Sequence, residues 1–326
     1  MIMPKFIICF AFFISVMWLN NTSLFMSPTD QDPKILSHRG IHQTFAGKEL
    51  NLDTCTAQPI APPAHSYIEN TLPSMQAAFE LGAEVVELDV HLTPDKVFAV
   101  FHDWTIDCRT NGTGQTNKIT YDDLRTLDLG HGYSTDGSHF PLRGSGVGMM
   151  PNLAEVLARF PTEKFLINYK SNKRSEGKEL VRRLRDVPAY KDQIFGVYGG
   201  DEPTNYVINA GLGIKGFTRK SVKRCVVQYT LIGWSGFVPR ACRNQIVMIP
   251  SDIAPYLWGW PLRFQARMSA NQTDIVLVGP LQKNSRILGI DSPEMLDEVA
   301  QGFTGYIWSN DLPNLLTKRA PQRDAQ

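Results

Sequence analysis

The sequence has almost no net charge: 33 Lys and Arg stand against 32 Asp and Glu in 326 residues, a formal charge of +1. A chain so balanced has no large field with which to gather a polyanion, so nucleic acid is not expected as a partner. The basic stretches Arg182-Arg183-Leu184-Arg185 and Arg219 to Arg224 are short and read as solvated helix faces. Cysteine is scarce, five residues in all, and no pair has the CxxC spacing of a zinc ribbon, which argues against structural zinc. No repeat, low-complexity tract or linker divides the chain. Long hydrophobic runs are missing too. The stretch from Phe6 to Leu19 falls short of the roughly 20 residues of a membrane span, but it suits the apolar region of a secretory signal.

No small-x-small cleavage site follows clearly, because Asn20-Asn21-Thr22-Ser23 runs into a second apolar patch, Leu24-Phe25-Met26. Residues 1–26 are therefore expected to be a signal peptide or a retained membrane anchor. The protein is then exported, periplasmic or extracellular, with membrane association through the same segment if it stays attached. With Cys9 inside that segment, Cys55, Cys108, Cys225 and Cys242 remain, an even number that permits three pairings. Cys55 with Cys108 and Cys225 with Cys242 is the favoured set, and buried free thiols are the alternative.

Short apolar runs recur at Lys34 to Ser37, Glu84 to Val90, Val97 to Phe101, Phe165 to Tyr169, Gln193 to Val197, Gly213 to Phe217, Gln245 to Ile249, Asp274 to Val278 and Gly305 to Trp308. Several are nearly continuous in Val, Ile, Leu and Phe, as strands covered on both faces are. Amphipathic helices are expected between them at Leu72 to Leu81, Tyr121 to Leu127, Leu153 to Phe160, Glu176 to Arg185 and Pro293 to Ala300. This alternation predicts an α/β fold, a TIM-type (β/α)8 barrel forming a single domain over residues 27–326. Two segments interrupt it: a long loop from Ile41 to Ser66, and an irregular aromatic insertion from Tyr256 to Met268.

Reading the strands at period two separates chemistry from packing. In Val86-Glu87-Leu88-Asp89-Val90-His91 the apolar residues share one face, and Glu87, Asp89 and His91 share the other. Two buried carboxylates side by side need compensation, and a cation with oxygen ligands is the simplest; an exposed edge strand is the bland alternative. Other strands end in polar groups as well: His38-Arg39-Gly40, His102-Asp103, and Asn168 with Lys170. Barrel enzymes keep catalytic groups at such carboxyl ends.

That inventory suits phosphoryl transfer, with His38 and His102 as an acid and base pair, and with Arg39, Lys170 and a hard divalent cation neutralising a phosphodiester. His42, His65, His131 and His139 are read as structural. Competing motifs fail. Gly144-Ser145-Gly146-Val147-Gly148 lacks the strand and lysine of a phosphate loop, and Gly233-Trp234-Ser235-Gly236-Phe237 misses the last glycine of a serine-hydrolase elbow.

An ordered set of short motifs then points further. His38-Arg39-Gly40, Glu69-Asn70-Thr71, Glu87-Leu88-Asp89-Val90, Leu92-Thr93, His102-Asp103, Arg109-Thr110 and Gly112-Thr113-Gly114 come first; Pro151-Asn152-Leu153, Lys170-Ser171 and Asn310 follow. The set resembles the signature of the glycerophosphodiester phosphodiesterase family, of an exported bacterial type, over nearly the whole chain after the apolar segment. The resemblance implies catalysis by His38 and His102, phosphate binding by Arg39 and Lys170, and one divalent cation, Ca²⁺ or Mg²⁺, on Glu87 and Asp89. It implies cleavage of a small glycerophosphodiester to glycerol 3-phosphate and an alcohol. The family's third acidic ligand is replaced here by Asn168, whose amide oxygen can still bind a hard cation but carries no charge. Two alternatives follow: a lysophospholipase D acting on lysolipids, its tryptophan-rich insertion gripping an acyl chain, and a non-catalytic phosphodiester-binding protein.

Overall fold

The computed structural model describes residues 3–27, 31–47, 54–63, 65–282, 287–299 and 301–317. The chain opens with helix α1 (Met3–Asn21), followed by β1 (Lys34–His38), α2 (Leu72–Glu80), β2 (Val85–Leu92) and the short β3 (Phe98–Val100). Next come α3 (Tyr121–Leu124), α4 (Leu153–Arg159), β4 (Lys164–Tyr169), α5 (Arg174–Asp186), β5 (Ile194–Gly199) and α6 (Asp201–Ile208). The last third holds α7 (Arg219–Ile232), β6 (Ile246–Pro250), α8 (Leu262–Ala270), β7 (Asp274–Val278), α9 (Pro293–Val299), β8 (Tyr306–Ser309) and α10 (Leu312–Leu315). Among the described residues no helix is long and apolar enough to cross a membrane.

Helix starts follow local chemistry. Thr71 caps α2 by accepting from the Ser74 amide, and Asn152 with Glu155 forms a reciprocal capping box on α4. Thr218 and Ser221 cap α7 in the same way. Each cap fixes the point where a strand's exit loop turns into a helix, and so fixes where the loop's side chains sit.

The strands pair in the order β5-β4-β2-β1-β8-β7-β6, all parallel, and β3 returns antiparallel along β2. The sheet is curled, because alternate residues converge on one inner cluster of Leu36, Val85, Leu166, Ile246, Val276 and Trp308. Their neighbours Ile35, Val86, Phe165, Val247 and Ile275 face the helices in an outer core. Period two thus separates a barrel lumen from a helix-covered surface.

The expected eight-stranded barrel is present in a reduced form. The run Gly213 to Phe217 supplies only a single parallel bridge, Gly216 to Val197. The physical reason lies in its glycines: Gly213 has φ +72°, and a Cβ on Gly216 would lie 2.5 Å from the Val197 carbonyl oxygen. Among the described residues no ladder joins this bridge to β6. The run Val97 to Phe101 contributes a hairpin arm rather than a stave.

The segment expected to be irregular from Tyr256 to Met268 contains most of α8, α6 adds a helix beyond those expected, and α7 carries the basic run Arg219 to Arg224 that was read as a helix face. A third cluster, including Ile60, Phe101, Ile106, Tyr121, Leu129 and Tyr133, packs the loops above β3. Both favoured disulfides are found, Cys55–Cys108 and Cys225–Cys242.

Candidate active site

Strand β2 lies between β1 and β4, with His38 opposite Glu87 and Asp89 opposite Asn168 in register. Both carboxylates are fully buried. The exposed-edge alternative is thereby removed: Glu87, Asp89 and His91 point into the lumen above the apolar inner cluster.

Asp89 is the hub. Arg39 Nε lies 3.0 Å from Oδ2, and Asn70 Nδ2 donates to the same oxygen at 3.0 Å. Asn168 Nδ2 donates to Oδ1 at 2.9 Å, and Lys170 Nζ lies 3.4 Å from it. Burial would raise the Asp89 pKa, but Lys170 and then Arg39 outweigh it and hold the carboxyl far below its usual range. The chain bends sharply to deliver these donors, since Arg39 and Asn70 both take φ of 59°. Gly40 permits the exit from β1: a Cβ there would meet Ser74 Oγ at 2.5 Å.

Glu87 is treated differently. Burial, followed by the charge of Asp89, pushes its pKa up to about 8. The Tyr198 hydroxyl donates to Oε1 at 2.6 Å, and Oε2 has no hydrogen-bond partner. His38 Nε2 approaches that free oxygen at 3.8 Å while its ring packs on Trp308, centroids 4.9 Å apart. Burial, then the Arg39 charge, lowers the His38 pKa well below the usual imidazole value, and His102 adds to the effect.

His102 is held from behind. Its Nδ1 meets Asp103 Oδ1 at 2.6 Å, and Asp103 Oδ2 accepts from Arg109 Nε at 2.9 Å. Burial, Arg39 and Lys170 lower the His102 pKa to about 4. Arg109, 1 % exposed, also pairs with Glu69 at 3.1 Å and donates to Tyr133 and Thr56. Glu69 in turn pairs with Arg39 at 3.1 Å. A continuous chain of alternating charges therefore runs from His102 to Asp89.

The fold and this geometry agree with what the chain is similar to. The model of the glycerophosphoryl diester phosphodiesterase family matches residues 38–206. The chain belongs to this family. A glycerophosphodiester phosphodiesterase from Caldanaerobacter subterraneus is 38% identical over 100 residues, covering 31% of this chain and 38% of the relative. Human glycerophosphodiester phosphodiesterase 1 is 38% identical over 65 residues, 20% of each chain. These matches span well under half of the relatives' own lengths. Among solved structures, a glycerophosphoryl diester phosphodiesterase domain from Mycobacterium tuberculosis superposes with a TM-score of 0.64 at 13% identity, over 89% of this chain and 99% of that one. An Oleispira antarctica phosphodiesterase holding the product sn-glycerol-3-phosphate gives 0.53 at 16% identity, over 89% and 98%. At these identities the structures establish the shared fold.

For this member of the glycerophosphoryl diester phosphodiesterase family, the seven residues singled out from the sequence converge. Arg39, Asn168 and Lys170 touch Asp89, His38 approaches Glu87, and His102 joins through Asp103, Arg109, Glu69 and Arg39. Sequence reasoning gave no role to Asn70, Asp103, Arg109, Tyr198 or Trp308. His42, read as structural, lies edge-on to His38 at 5.7 Å, with its Nε2 unpartnered. Trp258 and Trp260 lie elsewhere. Trp258 donates to the Thr230 carbonyl, and Trp260 stacks on Phe303, which precedes β8, so the insertion lies on the side away from the strand ends that carry the site.

A divalent cation fits one part of this site. Among the described residues Glu87 Oε2 is buried without a partner next to a second carboxylate, so an oxygen is open to a cation there. Asp89, by contrast, already accepts from two amide nitrogens and is ion-paired with Arg39 and Lys170, and among the described residues no group of three or more His, Cys, Asp or Glu is arranged to hold a metal. Glu87, Asp89 and the amide oxygen of a reoriented Asn168 are the groups that would hold one.

Proposed function

We propose that this chain is a metal-dependent phosphodiesterase that hydrolyses glycerophosphodiesters to glycerol 3-phosphate and an alcohol, outside the cytoplasm, with residues 27–326 as the catalytic domain. The observation that carries the reading is the placement of Arg39, Lys170 and two imidazoles of lowered pKa around the buried Asp89–Glu87 pair. The product bound to the Oleispira relative supports the substrate class.

Charge counting supports the cation. With Glu87 protonated, Arg39, Lys170 and Arg109 balance Glu69, Asp89 and Asp103, so the site is neutral before any phosphate enters. An entering phosphodiester adds a negative charge, and a cation displacing the Glu87 proton restores the balance. When bound, Ca²⁺ or Mg²⁺ would supply Lewis-acid stabilisation of the phosphoryl oxygens.

Arg39 and Lys170 hold the phosphate. His102, with Nδ1 fixed on Asp103, presents Nε2 to take a proton from the neighbouring glycerol hydroxyl, whose oxygen attacks phosphorus. The bond from phosphorus to the alcohol oxygen breaks, and His38, whose lowered pKa the anionic phosphodiester raises so that it enters the step protonated, gives that oxygen its proton. Water then opens the cyclic phosphate with the two roles exchanged. The test is release of glycerol 3-phosphate from glycerophosphocholine, with and without a chelator, in the wild type and His38→Ala. Turnover that survives both treatments ends this reading. The lysolipid alternative is disfavoured by the position of Trp258 and Trp260, and a comparison of lysophosphatidylcholine with glycerophosphocholine separates the two.

A further inference from the structure

Helix α1 has no charged residue from Phe6 to its end, and its apolar side chains are open on successive faces. Ile7 is 62%, Ile8 67%, Phe10 66% and Phe12 71% exposed, and Trp18 near its end is 51%. A helix apolar all round is stable only inside a protein core or a lipid phase. Among the described residues no core covers it.

The end of α1 is nevertheless fixed to the barrel. Arg267 donates to the Asn20 carbonyl at 2.7 Å and to Asn21 Oδ1 at 3.0 Å, while Arg263 donates to the Thr22 carbonyl at 2.7 Å. Asn20 and Asn21 both donate to the Trp234 carbonyl, and Phe13 meets the Trp234 ring edge-on at 5.3 Å. The helix therefore stands at one defined place, a join that a discarded leader would not need.

The surface around that place is apolar and basic. Leu231 at the end of α7 is 67% exposed and Phe237 is 53% exposed. The Arg243 guanidinium lies 5.2 Å over the Phe237 ring, and exposed Arg240 lies three residues beyond it. The Cys225–Cys242 disulfide ties the middle of α7, where Lys223 and Arg224 are exposed, to the turn that holds Arg240. Between Glu202 and Asp252 the sequence has seven Lys and Arg and no Asp or Glu. Of these, Lys215 is ion-paired with Asp274 and Arg219 and Lys220 open α7 at its far end from Leu231, so the collar itself rests on Arg240 and Arg243 beside exposed Phe237.

This surface lies at the end of the barrel opposite the site. Cys242 precedes β6, its carbonyl accepts from Thr273 just before β7, and α8 reaches the start of β8 through Gln265 and Thr304. His38, His102 and Lys170 follow the other ends of their strands.

We propose that α1 and the Leu231–Phe237–Arg240–Arg243 surface form one docking site for an anionic lipid bilayer, with α1 retained and the active-site mouth facing the aqueous phase. The occupant follows from the two features together: α1, apolar on all faces, and the aromatic rim enter the lipid phase, and the basic collar meets lipid phosphates. The attachment is independent of whether the enzyme reading holds.

The experiment uses the full chain and flotation with vesicles of phosphatidylcholine alone or mixed with phosphatidylglycerol. Binding to the anionic vesicles is expected, falling by about 10-fold or more in Arg240→Glu/Arg243→Glu and on raising salt. Leu231→Ser/Phe237→Ser is expected to weaken it as well. Circular dichroism of each variant checks the fold, and wild-type salt dependence gives a measure that needs no variant. Absence of flotation, binding indifferent to both salt and the arginine changes, or a sedimenting dimer that buries Trp18 without lipid would each overturn the proposal.

Discussion

His102 and Asp103 are adjacent in sequence, yet their side chains turn toward each other, Nδ1 to Oδ1, at 2.6 Å. Because Asp103 is itself held by the buried Arg109, the imidazole cannot rotate without losing this hydrogen bond. Asp103 therefore fixes the tautomer with the proton on Nδ1 and the lone pair on Nε2, the one that the proposed mechanism uses. Asp103→Asn keeps the shape and loses that control. A fall in kcat of roughly 100-fold with little change in KM is expected, measured by steady-state hydrolysis of glycerophosphocholine across pH. An unchanged kcat would remove Asp103 from the mechanism.

Arg109 makes a prediction about stability. It is the cation shared by Asp103 and Glu69, so Arg109→Met leaves two nearly buried carboxylates without it. Breaking such a pair costs about 3–5 kcal/mol, because uncompensated charge stays behind. Urea denaturation should show a loss of that order, and adding Glu69→Gln should recover part of it. Additive losses in the double variant would mean that the two side chains do not share their charge.

The sequence made part of this site legible. Glu87 and Asp89 could be placed together because strand side chains alternate strictly, and His38, His102 and Lys170 because each closes an apolar run. Arg109 lies in a loop with no periodicity, so nothing local announced that it would be the buried cation of two acids. Tyr198, one residue before the end of β5, looks like core until Glu87 is seen 2.6 Å from its hydroxyl. The fold was legible on the same terms: continuous apolar strands were found, whereas the Gly213 to Phe217 run failed because Gly216 lies too close to Val197 for a side chain. Helix α8 was obscured by Trp258, Trp260 and Pro261, whose turn chemistry precedes it.

His91 predicts a pH dependence. It is fully buried, and burial, then Lys170, lowers its pKa to about 3. The folded state disfavours its proton, so its contribution to stability is complete above the unfolded value near 6.5 and is lost as pH falls toward 3. His102, lowered to about 4, acts in the same direction. Glu87, raised to about 8, acts oppositely: its contribution is complete below about 4.5 and fades as pH rises through 8. Melting temperature should fall from pH 6.5 to 4, and His91→Gln should make that slope shallower, by up to ~1.4 kcal/mol per pH unit. An identical slope would show that His91 does not titrate in this range.

Asn168 is expected to set the strength of the proposed cation binding. Its amide nitrogen donates to Asp89 Oδ1 at 2.9 Å, so in this arrangement its oxygen is turned away from the carboxylate pair, and binding a cation requires the amide to reorient. Asn168→Asp removes that donor and adds a third charge beside Asp89 and Glu87, which raises repulsion in the metal-free protein and attraction for a divalent ion. Affinity for Ca²⁺ or Mg²⁺ in calorimetry should rise by about 10-fold or more. The metal-free variant should melt below the wild type, and saturating cation should reverse that order, because a ligand bound only to the folded state stabilises in proportion to its affinity. If the aspartate variant binds no more tightly, the pair Glu87 and Asp89 does not hold the metal through this third position, and the charge argument for the cation fails with it.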